Sequence, residues 1–344
     1  MDWSDFTYKH IKYFKNKISI DKSNLLLIEI KNETKRVKSF IYKNKLDIKF
    51  NQLKNTQLNI CNDKIISYSQ VGWVDSKNLN NELINLENIF EFSWKTPNID
   101  NINKIYIKTT NINIKSISKR IKYLIYIGEY LKYKSNNTVK IFDIYIILSN
   151  LKRYFPKKNK KVRVTHINGG YTDSNKNIIF VWRYEEFEKV FLHEIIHFLN
   201  MDSKHENNYV DLNINGPTSF SEAKTDFLAV FYHLIFLTII TKISIKKLLE
   251  FEFAFIENQA MALNNHFNLG SWKYKIDKSI NINQGTPAFS YYILKYLLFM
   301  YFMEHDLIEI EEYNKIINKI IAIGFVQKSY IKLKSSRMCL LQLD

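Results

Sequence analysis

Between Lys189 and Asn200 the chain reads KVFLHEIIHFLN, with two histidines four residues apart and a glutamate directly after the first. Residues four apart share one face of a helix, so His193 and His197 can point both imidazoles at one ion. Glu194 lies beside that face and is placed to act as general base on a water held there. The chemistry open to this spacing is zinc-dependent hydrolysis, with Zn2+ as the expected cofactor. With 8 His and 19 Glu in 344 residues, a random chain of this composition yields the pattern in roughly one case in a hundred.

The competing reading is a helix whose histidines only pack or only face water. Val190, Phe191, Leu192, Ile195, Ile196, Phe198 and Leu199 leave the segment apolar nearly all round, which implies burial. A buried Glu194 is costly without a polar partner. A hydrolytic site needs a third protein ligand that leaves the fourth position open. The continuation H-x-x-G-x-x-H fails, because position 200 is Asn and position 203 is Ser, and His205 falls two residues late. A glutamate on a later helix is the remaining source. SFSEAKTDFLAVF, Ser219–Phe231, offers Glu222 with Asp226 one turn on. Ser219 and Glu222 also match a capping box, in which the glutamate would bind the helix N-terminal backbone. The upstream motif and the E-x-x-x-D pair favour Glu222 as ligand. Asp226 can then accept the second ring N–H of a ligand histidine, His193 by preference.

At these residues the chain resembles the gluzincins, the thermolysin-like superfamily, whose zinc sites combine H-E-x-x-H with E-x-x-x-D on a following helix. The resemblance spans about Asn177 to Tyr232 and is silent on substrate. It implies zinc ligands at His193, His197 and Glu222, a general base at Glu194, and Asp226 supporting the first histidine. It further implies a zincin-like fold, an extended substrate laid along an edge strand, and a Tyr or His from the C-terminal part as oxyanion donor. Tyr292 is the candidate taken for that role, with Tyr291 beside it, and core packing competes for both. His233, eleven residues after Glu222 on the same helical face, is a candidate to support the site from behind, with core packing favoured, and His166 near Gly169–Gly170 is a weaker candidate. INGGYT, WRYEEFEKVFLHEIIH, SEAKTDFLAVF and FSYYILKY, in that order, are also similar to metallopeptidases encoded by large DNA viruses of protists.

The elements that must position these residues are read from periodicity and punctuation. Glycine and proline are scarce, at 8 and 4, so each marks a break. In residues 1–110 the runs LLLIEI (Leu25–Ile30), SFIYK (Ser39–Lys43) and KIYIK (Lys104–Lys108) are expected as strands. Ser116–Lys134 reads as a helix and Val139–Leu148 as a strand. Lys161–Arg183 reads as strand, glycine break at Gly169–Gly170, turn at TDSNKN, and a strong strand at Ile178–Trp182, which could be the edge strand beside the motif helix. That helix is expected from Tyr184 to Leu199, after a strand and before a long polar connection. Further helices are expected at Ser219–Thr241, Ile245–Asn265, Ala288–His305 and Ile308–Ile323. The fold class is α+β, in three regions: a basic N-terminal α/β region (1–110), an upper subdomain carrying the motif helix (111–205) and a helical lower subdomain (206–344).

Composition narrows the remaining classes. Hydrophobic content of 46% and aromatic content of 15% support a sizeable core and exclude a disordered chain. Ile, Lys and Asn make up 132 of 344 residues, and only 6 of 50 basic residues are Arg, the mark of an A/T-rich gene. Residues 1–161 hold 31 Lys/Arg against 14 Asp/Glu, and residues 162–344 hold 19 against 20. The basic half allows nucleic acid as a partner, without a motif to support it. Two cysteines make no disulfide framework and fit a reducing compartment. No signal peptide is visible, and FLAVFYHLIFLTII (Phe227–Ile240) is short for a bilayer span. The expectation is a cytoplasmic zinc metalloendopeptidase with a peptide or protein substrate and no membrane partner. The alternatives are a zinc-binding structural or virion-associated protein and a bacterial metalloprotease toxin acting inside cells.

Overall fold

The computed structural model describes residues 3–15, 17–97, 99–110, 114–138, 140–202, 214–215, 218–272, 280–305 and 319–343. They form an α+β protein with a six-stranded mixed sheet. The chain divides into two compact units. One, the sheet unit, takes residues 36–153 and 168–200; the other, the helical unit, takes 1–35, 154–167 and 201–344. Residues 1–35 thus group with the C-terminal region, a grouping that reading along the chain does not give.

The sheet unit holds strands β1 (Lys49–Gln52), β2 (Asn88–Lys95), β3 (Ile102–Thr109), β4 (Asp143–Ile147), β5 (Gly170–Asp173) and β6 (Ile178–Val181), in the order β1-β2-β3-β4-β6-β5. β1, β2 and β3 are antiparallel neighbours; β3, β4 and β6 run parallel; β5 closes the far edge antiparallel to β6. All four residues of β6 are buried, as a strand covered on both faces requires. Its Ile178 and Phe180, with Trp182 just beyond, pack with Tyr145 and Ile147 of β4 against helices α3 (Asn55–Ser69) and α4 (Ser76–Leu83), through Cys61, Ile65, Leu79 and Leu83. Register sets Tyr106, Tyr145, Phe180 and Tyr171 in one row across four strands. α5 (Ile114–Lys134) packs on α7 (Phe187–Phe198), which packs on β5 and β6.

The expected strand at Ile178–Trp182 exists, but it is internal, and the edge beside α7 is β5. The continuous apolar run IIFVW was itself the signature of an internal strand. The expected strands at Leu25–Ile30 and Ser39–Lys43 are both turns of one helix, α2 (Leu25–Lys43). Leu26, Leu27, Ile30 and Val37 are buried at helical spacing through the charged stretch KNETKRVK, a period that windows of five or six residues cannot show.

The helical unit contains α1 (Asp5–Phe14), α6 (Val164–Ile167), α8 (Phe220–Thr241), α9 (Ile245–His266) and a π-helical turn, Ser290–Leu294, that runs directly into α10 (Lys295–Glu304). A short parallel pair, β7 (Ile214–Asn215) and β8 (Ile280–Asn281), completes it. α8 is long and apolar enough to cross a membrane, yet its most apolar 18-residue window is 94% buried inside the protein. His205 and most of the expected helix Ile308–Ile323 lie outside the described residues.

Candidate metal centre

α7 is anchored at its start by buried charge. Arg120 of α5 donates from Nη1 to Glu188 Oε1 at 2.6 Å, and Arg153 Nη1 lies 3.1 Å from Glu186 Oε2. Glu185 accepts from the Arg153 backbone N–H at 2.9 Å. Arg183 donates to the Asn168 and Lys152 carbonyls, both at 2.8 Å. Glu186, at the N-cap, takes a left-handed backbone with φ 62°. Lys is the codon-favoured cation here, so the presence of Arg at these buried positions is informative. The planar guanidinium satisfies several acceptors at fixed angles, which an ammonium cannot.

One and two turns later α7 presents the motif. His193 Nε2 and His197 Nε2 stand 3.1 Å apart, with the rings at 74°. Without an ion this separation is a hydrogen bond whose donor is set by the tautomers. It is also close to the roughly 3.4 Å that two nitrogens make across a tetrahedral angle at about 2.0–2.1 Å from zinc. His193 and Glu194 are 7% and 5% exposed. The Glu194 carboxylate is held from β5: Thr172 Oγ1 donates to Glu194 Oε2 at 2.9 Å and lies 3.0 Å from the Glu194 main-chain oxygen.

Glu222 lies in the first turn of α8, where the helix dipole favours a carboxylate. Ser219 caps the helix by accepting from the Glu222 N–H at 3.2 Å. The reciprocal half of a capping box is taken by another residue, because the Ser219 N–H donates to Ser290 Oγ at 2.9 Å. The residues around Glu222 on α8 are tied to Asp202: Ser221 and Thr225 donate to its carboxylate at 3.2 and 3.1 Å, and Lys224 donates to its carbonyl at 3.3 Å. Burial pushes the Lys224 ammonium down to about 8. His193 and His197 belong to the sheet unit and Glu222 to the helical unit, and each can offer one ligand atom. Two imidazoles and one carboxylate are a donor set that suits zinc.

Asp226, fully buried, accepts from Lys295 Nζ at 2.7 Å, and Lys295 also donates to the Met338 carbonyl at 3.0 Å. Tyr292 is buried in the π-helical turn and donates its hydroxyl to the Ser336 carbonyl. To serve an oxyanion it has to give up that bond. Tyr291 neighbours it, 8% exposed. His233 is buried on α8 with its ring stacked on Phe236. His166 accepts from the Arg163 N–H at 3.0 Å and meets Tyr154 edge-on.

Sequence reading missed Thr172, taking TDSNKN whole as a turn, whereas Thr172 and Asp173 belong to β5. The available signal was GYT before the turn: Gly170 and Thr172 are two apart, hence on one strand face. Comparison with protein-family models, with curated proteins and with solved structures finds no match for this chain.

Proposed function

We propose that the chain is a zinc-dependent peptidase of gluzincin type, in which His193, His197 and Glu222 hold the ion and Glu194 is the general base. The observation that carries this reading is the pair of imidazole nitrogens 3.1 Å apart on a buried helix, with the Glu194 carboxylate fastened beside them. A helix serving only as core has no use for three polar side chains on one arc. Glu222 supports the reading because Ser290 takes over the backbone donor that a capping glutamate would have served.

When bound, the ion supplies Lewis acidity, which acidifies a water and polarises a peptide carbonyl. Glu194 accepts the proton from the attacking water and delivers it to the leaving amine, so that one group serves as base and then as acid. The apolar residues of α7 keep bulk water away and strengthen the charge interactions inside. β5 is the antiparallel edge of the sheet and packs on α7. A substrate in extended form can pair with its outer edge through main-chain hydrogen bonds, in the zincin manner. Asp226 is assigned to orient His193, itself held by Lys295. The experiment is elemental analysis of zinc, together with cleavage of a proteome-derived peptide library read by mass spectrometry, in wild type, Glu194→Gln and Glu222→Ala.

A further inference from the structure

β5 meets Glu194 at two points on one strand face. At Thr172 the contact is a hydrogen bond, from Oγ1 to Oε2 at 2.9 Å. At Gly170 it is a space: a Cβ there would stand 2.7 Å from Glu194 Oε1 and 2.8 Å from its Cγ. The carboxylate is therefore gripped on one oxygen by a hydroxyl, while the other oxygen and the side-chain stem lie against bare backbone. The single hydroxyl proton has two acceptors within reach, and the charged one makes the stronger bond. Tyr171, between the two, faces away from α7; its hydroxyl donates to the Tyr68 carbonyl at 3.1 Å and fixes the strand from the opposite face.

From this geometry we infer that Thr172 is the positioning residue for the general base, holding the Glu194 carboxylate in the orientation in which its second oxygen meets the attacking water. The inference rests on the peptidase reading for its catalytic meaning, but the grip itself does not. A base must lie within hydrogen-bond reach of the proton it takes, and a misplacement of about 1 Å costs on the order of a hundredfold in rate. A carboxylate on a two-carbon stem can make that error by rotation alone. Placing the hydroxyl on the edge strand ties the orientation of the base to the element along which the substrate would lie.

The test uses Thr172→Val, which removes the hydroxyl at constant shape, and Thr172→Ser, which keeps it. The first readout is infrared on metal-free protein, isolating the Glu194 carboxylate stretch as the difference between each protein and its Glu194→Gln counterpart. The band is expected to shift in Thr172→Val and to stay at the wild-type position in Thr172→Ser. The second is kinetics on a peptide drawn from the library: Thr172→Val is expected to lose roughly tenfold to a hundredfold in kcat, with KM and zinc content unchanged and with Thr172→Ser restored to near wild type. Thr172→Ala gives the same two readouts should valine crowd the helix. An unshifted band in Thr172→Val, or equal shifts in Val and Ser, overturns the inference. A wild type with no Glu194-dependent cleavage sinks the peptidase reading, while the infrared arm still decides the grip.

Discussion

Replacing Gly170 by alanine tests the close approach of β5 to α7 at the scale of one methyl group. Gly170 does not occupy the left-handed region, so alanine fits its backbone and any effect comes from contact. The added Cβ would lie 2.7 Å from Glu194 Oε1, 2.7 Å from Val190 Cγ1 and 2.8 Å from Glu194 Cγ. Ordinary contact distances are about 3.5 Å or more, so relief requires a displacement of roughly 0.7–1 Å. Either β5 retreats from α7, or Val190 and Glu194 rotate; both move the carboxylate. Overpacking of this size costs about 1–3 kcal/mol, and the displacement should reduce kcat by on the order of a hundredfold. Gly72→Ala is the control, because nothing lies within 4 Å of a Cβ there. The assay is guanidinium denaturation alongside peptide cleavage. If Gly170→Ala matches Gly72→Ala in both midpoint and kcat, the close contact does not exist and the reasoning fails.

Three further outcomes are expected. Arg120→Ala leaves Glu188 buried without its guanidinium, both side chains being 1% exposed or less, and should destabilise by about 3–5 kcal/mol in denaturant titration, while Arg120→Met with Glu188→Met loses less; equal losses would contradict the pairing. Burial pushes the Cys61 thiol up to about 12, so native protein at pH 8 should leave it unlabelled by Ellman's reagent, with rapid labelling once unfolded. A thiol raised in the fold contributes stability below its unfolded pKa, and that contribution falls as pH rises toward 12. Tyr292→Phe should cost about 1–3 kcal/mol by stranding the Ser336 carbonyl and change kcat by less than about threefold; a loss of tenfold or more, with zinc retained, would give Tyr292 the oxyanion role.

The residues proposed as ligands were legible because their spacing is local. His193, Glu194 and His197 fall within one and a half turns, and Glu222 with Asp226 within one more helix. Helices α5, α7, α8 and α9 were legible from periods sustained over a dozen residues or more. Strand order was not, because pairing is set by contacts far apart in sequence: whether Ile178–Trp182 lay inside the sheet depended on the four polar-lined residues of β5. α2 was hidden by its charged middle, where Glu33 is buried and accepts from the Tyr232 hydroxyl at 2.8 Å, a partner 199 residues away. Thr172 escaped for a similar reason. A threonine before Asp-Ser-Asn looks like turn chemistry until a helix packs on its strand.

Whether this helix face holds zinc for hydrolysis is decided by Glu194→Gln, with Glu222→Ala beside it. About one zinc per chain is expected in wild type and in Glu194→Gln, with Glu222→Ala losing the metal. Library peptides cleaved by wild type should remain intact with Glu194→Gln at equal zinc loading. Cleavage by Glu194→Gln at the wild-type rate would rule out Glu194 as the general base, and full zinc retention in Glu222→Ala would rule out Glu222 as a ligand.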